Sequence, residues 1–391
     1  MLIYWFTNIC LGIIFIDNYE WSISAFLYIY AVCIAFAGGY LFSKQRKYEQ
    51  IYNHIDLKKL KIILACSIML GISNFVTQLL FYDFSLKDLF SLSTLLAINN
   101  AIAVERYTNN TSPGILSQVL LPFIYFSPLL GGYLYPLVSN KKDKVLSFLS
   151  LIPCFLVLLI LNTKIVFISS FILWLSSYFV SFYKKNRRYI HINKFSILKN
   201  SIIFACSLGV LFVSMMFRIG RFDIDTFFIV KYKFASYAIG HMGAFDSWFL
   251  NYRIDEPLHF GNMTFLSISN LLGLEIKAQG VFTDYFYTES ITTNVYTSLR
   301  ALILDFGILS SIIVFFFIGV AVKKCSNGIF SKNVIYMAYS ETFLVCTYSY
   351  ILFSFASSIF SYTSYIVAFM LLFISLVMLN NKERHSDNNE I

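Results

Sequence analysis

The sequence carries little charge, since Asp, Glu, Lys and Arg make up only 13% of its 391 residues, against about 25% in soluble domains. It also lacks a CxxC motif and any Cys/His spacing typical of a metal site. Seven cysteines are present, but none falls between residues 218 and 300, the longest polar interval. The sequence therefore predicts neither a soluble domain, nor a disulfide framework, nor a metal centre.

The net charge of +9 could indicate a nucleic-acid partner. The basic residues, however, fall in short clusters between apolar runs, which is the pattern of membrane topology. We therefore predict no nucleic-acid partner.

Apolar residues are abundant: 58% of the chain is hydrophobic and the mean hydropathy is +0.69. A membrane-crossing helix needs about 20 apolar residues. The chain is thus predicted to be an all-α polytopic membrane protein with about ten spans. The first predicted span lacks a basic n-region and an A-x-A cleavage site, which favours a span over a signal peptide. The predicted spans are 1–16, 21–43, 62–82, 115–138, 145–161, 165–183, 200–217, 301–322, 334–355 and 363–380.

The basic residues predict which side of the membrane each connection faces. Connections on one side hold 20 Lys and Arg and those on the other hold 10, so the positive-inside rule assigns the first set to the cytoplasm. Two polar intervals, 83–113 and 218–300, are then external, and the first of them has the spacing of an amphipathic interfacial helix. The predicted division is 1–217 with seven spans, 218–300 as a large external loop, 301–380 with three spans, and a cytoplasmic tail at 381–391.

Arginine is concentrated on the external side. Cytoplasmic segments hold 16 Lys and 4 Arg, whereas external segments hold 5 of each. Because a guanidinium binds phosphate or carboxylate with two parallel hydrogen bonds, this bias indicates a site for an anionic, phosphorylated ligand.

The best-positioned arginines stand at helix ends. Arg218 and Arg221 share a helix face where the seventh span leaves the membrane, although snorkelling anchors are the alternative. Arg300 opens the eighth span, and Tyr296 and Thr297 are spaced to face the same pocket. Either Thr293 or Asn294 is a plausible N-cap for that helix, whose N-terminus favours anions. These spacings predict diphosphate contacts.

Three titratable residues are candidates for chemistry. His241 lies among glycines that allow close backbone approach to a ligand, and a neutral imidazole can deprotonate or hydrogen-bond a sugar hydroxyl. A merely solvated histidine is the alternative, and His259 is the weaker candidate of the two. Asp305 lies about 140° from Arg300 around the helix, so it is not an automatic partner of that residue. An acid at this depth indicates function, with pairing to another helix as the alternative.

Two further acidic features are weaker signals. Asp223 and Asp225 resemble the DxD motif of metal-dependent sugar-nucleotide transferases, but two acids at this spacing arise often by chance. Glu341, in the ninth predicted span, has no evident partner in the sequence. Neither feature predicts a role.

Four segments stand out together: Val104–Tyr107, Gly240–Phe245, His259–Phe265, and Asn294–Arg300 with its continuation to Gly307. With ten spans and one dominant external loop late in the chain, they resemble the Wzy-type O-antigen (oligosaccharide repeat-unit) polymerases of bacterial inner membranes. The resemblance implies a metal-independent, cofactor-free glycosyltransferase of GT-C-like architecture. It would join lipid-linked oligosaccharide units at the periplasmic face, releasing undecaprenyl diphosphate, with a chain-length regulator as a further partner.

The resemblance and the spacings together predict the site residues. The predicted catalytic residues are His241, Arg300 and Asp305. The predicted contacts to diphosphate or sugar are Arg106, Tyr107, Arg218, Arg221, Arg253, His259 and Tyr296.

Three other functions stay open. An O-antigen ligase shares the architecture and the lipid diphosphate donor. A lipid-linked oligosaccharide flippase is disfavoured by the long external loop and by spans almost free of charge. A membrane acyltransferase would need a catalytic histidine at a membrane face, which His241 alone does not exclude.

Overall fold

A computed structural model describes most of the chain. The predicted amphipathic helix of 83–113 is largely outside the described residues, as are Arg106, Tyr107, Arg218 and Arg221. The described residues are 1–43, 54–87, 91, 93–95, 97–99, 102, 114–161, 163–187, 209–216, 219, 223–274, 282–289 and 291–381.

The described chain is almost wholly helical, which confirms the predicted all-α class. Two short antiparallel ladders complete it, β1 (His54–Ile55) with β4 (Asn380–Asn381), and β2 (Phe286–Tyr287) with β3 (Thr292–Thr293). Residues 209–216 are also helical, and Ile359–Ser361 is a 3-10 turn. The other helices are α1 Leu2–Phe15, α2 Ile23–Phe42, α3 Leu57–Phe81, α4 Ile115–Leu137, α5 Lys141–Leu149, α6 Ile152–Leu161, α7 Lys164–Asn186, α8 Ile224–Ala238, α9 Gly240–Asn251, α10 Leu266–Leu271, α11 Ser298–Gly328, α12 Val334–Phe353 and α13 Thr363–Leu379.

Within the described ranges, five helices are long and apolar enough to cross a membrane: α2, α3, α4, α7 and α11. The helices α1 and α13 are apolar but shorter. The class of membrane protein is thereby confirmed, whereas the count of ten spans stays a prediction.

One predicted span is divided in the structure. Residues 145–161 were expected to form one helix, but α5 ends at Leu149 and α6 begins at Ile152. Pro153 has no N–H and its ring crowds the carbonyl four residues earlier, which interrupts a continuous helix. The Ser150 carbonyl at the break accepts a hydrogen bond from the Ser127 hydroxyl of α4, at 2.9 Å.

The helix α4 lies at the centre of the bundle. It packs against α3, α7 and α13, while α2 packs along α11. Leu129, Leu130 and Tyr133 of α4 are fully buried, as expected for a helix surrounded by others. We call the end where α2, α7 and α11 begin the site end, and the other the opposite end.

A buried ion pair lies at the opposite end. Lys184 Nζ is 2.6 Å from a carboxylate oxygen of Glu341, and the Tyr133 hydroxyl donates to the other carboxylate oxygen. Lys184 also donates to Asn380 at 3.3 Å. The sequence showed no evident partner for Glu341. The structure supplies one, because the last turn of α7 packs against α12 and brings the Lys184 and Glu341 side chains together.

Candidate functional site

Described residues between 223 and 297 cover the site end and contact the first part of α11. The helix α9 packs against α1, α2 and the β2–β3 hairpin. A Cβ at Gly240 would lie 2.9 Å from the Thr293 side chain, and one at Gly243 would lie 2.7 Å from the Phe286 ring. The absence of side chains at these glycines therefore lets the hairpin pack closely against α9. The sequence had suggested that a ligand approaches there instead.

Asp246 fixes α9 to the turn between α1 and α2. Its carboxylate, which is 1% exposed, accepts hydrogen bonds from the Tyr19 hydroxyl at 2.9 Å and the Ser22 hydroxyl at 2.6 Å. The Ser22 amide donates as well, at 3.1 Å. Burial and the adjacent Asp246 raise the pKa of Tyr19 above its usual value. Sequence analysis assigned no role to this turn; the one signal for it was that the turn and the long loop were predicted to lie on the same side of the membrane.

Arg300 occupies an aromatic box in the first turn of α11. Its guanidinium carbon lies 3.9 Å from the ring centroid of Phe282, 4.1 Å from that of Tyr296 and 5.0 Å from that of Trp248. Its two terminal nitrogens donate to Asp284 at 2.7 and 3.0 Å. The geometry is the bidentate fork that arginine forms with carboxylate or phosphate, on rings whose faces attract cations.

The two partners of this ion pair differ in exposure. The Arg300 side chain is 9% exposed, whereas that of Asp284 is 48% exposed. Partial burial alone would raise the pKa of Asp284, but the hydrogen bond and charge of Arg300 outweigh it and hold that pKa below its usual value. Burial and the charge of Asp284 raise the pKa of Tyr296 to about 12. The acid is therefore charged at neutral pH, and about half of its side chain faces solvent.

His241 is enclosed by apolar surroundings on α9. The side chain is 1% exposed, and neither ring nitrogen has a hydrogen-bond partner among the described residues. Burial lowers the pKa of His241 to about 3, so the imidazole stays neutral at physiological pH. The ring can then donate or accept a hydrogen bond, but it is a weak base as it stands.

His241 and Arg300 border the same region. Trp248, which stacks on Arg300, lies two turns from His241 on nearly the same face of α9. The His241 ring meets Phe355 edge-on at 5.8 Å, and the neighbouring Ser354 carbonyl accepts the Ser298 amide at 2.8 Å. The turn after α12 therefore contacts both His241 and the first turn of α11, which carries Arg300. The spacing of these residues in the sequence does not predict this contact.

Asp305 and His259 meet at a break in α11. Gly307 has φ 77° and ψ 171°, so the carbonyls of Leu304 and Asp305 lose their helical partners. The amides of His259 and Phe260 replace those partners at 3.1 and 3.0 Å. These two hydrogen bonds hold the segment that carries His259 at the break beside Asp305.

The Asp305 carboxylate completes the junction. It is fully buried and accepts hydrogen bonds from the amides of Met263 at 2.8 Å and Thr264 at 2.7 Å. As predicted, Asp305 is not the partner of Arg300. In the structure it holds the 259–265 segment onto the helix break, and a direct role in the reaction stays a prediction.

The remaining predicted residues have simpler positions. Arg253 is exposed in the segment after α9. Asp223 caps α8 by accepting the Thr226 amide at 2.6 Å, which is a structural use of the DxD pair. The N-cap of α11 is Thr297, without a side-chain hydrogen bond, not Thr293 or Asn294 as expected. Thr293 instead lies in the β3 strand, whose pairing with β2 holds it away from the helix end.

The fold and the site define a class: an all-α membrane protein with a covered, partly polar site at one end of the bundle. Comparison of the chain with protein-family models, with curated proteins and with solved structures finds no match.

Proposed function

We propose that the chain is an O-antigen-type polymerase. It transfers a glycan from undecaprenyl diphosphate to a hydroxyl of a second lipid-linked repeat unit at the external face of the bacterial inner membrane. The bond from the sugar C1 to the phosphate oxygen breaks, the bond from C1 to the acceptor oxygen forms, and the acceptor proton is released.

The observation that carries the proposal is the state of Arg300. It is prearranged on three aromatic rings and already holds a carboxylate by two hydrogen bonds. A diphosphate leaving group needs the same donors where its charge develops, and fixed donors in a partly dry site stabilise that charge without reorganisation. Asp284 thus stands in the position of a phosphate group that replaces it on binding.

The acceptor hydroxyl is assigned to His241. A buried, neutral imidazole with both nitrogens unpartnered among the described residues can orient a hydroxyl and receive its proton as positive charge builds on the sugar. The phosphate charge brought in by the substrate raises the basicity of a nearby imidazole. Arg300 and His241 therefore take separate tasks, leaving-group stabilisation and acceptor orientation.

The test is deletion of the gene in its host, followed by analysis of lipopolysaccharide on gels. Loss of the polymerase leaves lipid A core carrying a single repeat unit in place of a ladder. Complementation with the wild-type gene restores the ladder. An unchanged ladder contradicts the proposal, and loss of both ladder and single-unit band identifies a ligase instead.

A lipid-linked oligosaccharide transporter is the second candidate. The ion pair of Lys184 and Glu341 supports it, because buried charges between helices mark transport pathways in many membrane proteins. A transporter mutant would accumulate lipid-linked repeat units accessible only from the cytoplasmic side of inverted vesicles. A polymerase mutant would accumulate them on the external side.

A further inference from the structure

Two apolar cavities flank the 209–216 helix. The first, which we call the Lys164 cavity, has a volume of about 270 Å³ and lies between that helix, the start of α7, α8 and the turn before α13. The second, the Phe155 cavity, has a volume of about 420 Å³ and lies between the same helix and α6. Small-ligand pockets measure roughly 300–1,000 Å³, so each cavity is large enough for part of a ligand.

The Lys164 cavity combines apolar walls with one positive charge. Ile168, Leu211 and Phe234 contribute to its walls. Lys164 is the first residue of α7, and its Nζ lies 5.9 Å from the ring centroid of Tyr237. The N-terminus of a 23-residue helix adds backbone donors and a positive dipole end to the lysine charge. This cavity therefore suits an anionic group attached to a hydrocarbon chain.

The Phe155 cavity continues the apolar surface away from that charge. Its walls include Phe155, Leu158 and Val213, and Phe155 and Val213 are 39% and 46% exposed. Phe155 lies about 9 Å before the end of α6 at Leu161. On the 209–216 helix, the residues of the two cavities come within roughly 60° of each other. The two cavities therefore border adjacent faces of the same helix.

The Lys164 cavity also borders the candidate site. Phe355 forms part of its wall, and the Phe355 ring is the one that meets His241 edge-on at 5.8 Å. The cavity and His241 therefore lie on either side of the same Phe355 ring.

We infer that the two cavities bind the isoprenoid chain of the lipid diphosphate whose sugar-bearing phosphate is held at Arg300, with the lipid-bearing phosphate towards Lys164 and the hydrocarbon in the Phe155 cavity. The choice of this lipid rests on the proposed function. The walls, the charge and the adjacency to His241 are independent of it.

The test uses the purified full-length protein in lipid nanodiscs and a photoreactive farnesyl diphosphate as the probe. Cross-links mapped by mass spectrometry are expected in residues 155–159 and 209–215, and unlabelled undecaprenyl diphosphate should compete for them. Cross-links confined to other segments, or competition of equal strength by ordinary phospholipid, would overturn the inference.

Substitutions give a matched pair. Among the described residues, a Cβ at Gly209 meets no atom within 4 Å. Gly209 lines the Phe155 cavity, so Gly209→Phe fills that cavity and should reduce labelling roughly tenfold. Gly114→Phe, at the N-cap of α4, where a Cβ likewise meets no described atom, should leave labelling unchanged. Lys164→Gln should weaken labelling by the diphosphate probe but not by photoreactive farnesol. Equal labelling of wild type and Gly209→Phe contradicts the inference.

The two proposals fail separately. If the probe labels the cavities but the gene deletion leaves the ladder unchanged, the polymerase proposal fails and the lipid site stands. If deletion abolishes the ladder while Gly209→Phe still binds the probe and extends chains normally, the lipid site fails and the polymerase proposal stands.

Discussion

The two ends of the bundle each hold a buried basic residue paired with an acid, and the pairs are built differently. At the opposite end, Glu341 is fully buried and pairs with Lys184, and Tyr133 of α4 and Asn380 of β4 add hydrogen bonds to the pair. At the site end, Arg300 is buried but Asp284 is 48% exposed and lies on a loop. Removal of one partner from a buried ion pair leaves a charge buried without its counter-charge. An exposed acid contributes less to stability, so a ligand anion can take its place at lower cost. The difference separates a structural ion pair from one available to a ligand.

The largest effect is expected at the opposite end. Glu341→Ala leaves the Lys184 ammonium buried without its counter-charge, which costs about 3–5 kcal/mol of folding free energy. The melting temperature of the detergent-solubilised protein should fall accordingly. The combined change Glu341→Ala with Lys184→Met should recover most of the loss, because no charge is then stranded.

A control for this prediction lies at the same end. Lys61 and Asp143 form a partly exposed ion pair at 3.2 Å, so Lys61→Ala should cost less than about 1 kcal/mol. If Glu341→Ala and Lys61→Ala lower the melting temperature equally, the buried pair stabilises the fold no more than a surface pair does. The contrast between the two ends would then be wrong.

At the site end, the expected loss is in activity. Arg300→Ala should lower the rate of chain extension by roughly 10²–10³, the usual cost of removing one donor to developing charge. Arg300→Lys should recover little, since an ammonium lacks the planar fork. Membrane levels of each variant and the exposed-lysine variant Lys231→Ala are the controls. Normal extension by Arg300→Lys would show that the fork is not needed.

Acid should destabilise the site end through His241. Burial lowers its folded-state pKa to about 3, below an unfolded value of about 6.5. Below about pH 6.5 the imidazole binds a proton in the unfolded chain but not in the folded protein. The free energy of unfolding therefore falls as pH decreases from about 6.5 towards 3, by at most about 1.4 kcal/mol per pH unit. His241→Phe should lack this component.

The measurement is the melting temperature of wild type and His241→Phe at pH 7.5 and pH 5.5. At pH 7.5 the two differ only by packing, which makes that pair the internal control. If the melting temperatures of wild type and His241→Phe differ by the same amount at both pH values, His241 is protonated in the folded protein at pH 5.5. The site end would then be more accessible to water than its burial indicates.

How far the sequence predicted this architecture depends on the range of the interactions. Helices Val334–Phe353 and Thr363–Leu379 lie where spans 334–355 and 363–380 were predicted, because the hydrophobic pattern of a helix is local in sequence. A proline did not by itself predict whether a helix continues. The helix α4 runs through Pro122, Pro128 and Pro136, whereas the helical run is interrupted just before Pro153. Only the neighbouring helices decide whether freed backbone groups find partners.

The candidate site shows the same limit. Tyr296 and Arg300 are close in sequence, and their predicted proximity is confirmed. The contact of Tyr19 with Asp246 joins residues separated by 227 positions, and that of Lys184 with Glu341 joins residues separated by 157. Such pairings are set by helix packing, which composition and spacing do not encode.

The smallest and most discriminating effect is expected from Asp284→Asn. The change removes the negative charge that competes with a diphosphate for Arg300 but keeps an oxygen that accepts a hydrogen bond. An exposed ion pair contributes at most about 1 kcal/mol, so the apparent KM for the lipid diphosphate donor should fall by no more than about fivefold. Inhibition by added undecaprenyl diphosphate should strengthen to the same degree, with kcat not increased.

Asp255→Asn, at an exposed acid of the same segment, is the matched control and should leave KM unchanged. A loss of activity as large as that of Arg300→Ala would mean that Asp284 holds Arg300 in place instead of yielding to the ligand. Arg300–Asp284 would then be a closed structural pair like Lys184–Glu341, and the diphosphate would have to be sought at another arginine. A modest gain in affinity, by contrast, requires that the acid and the ligand compete for the same two guanidinium nitrogens.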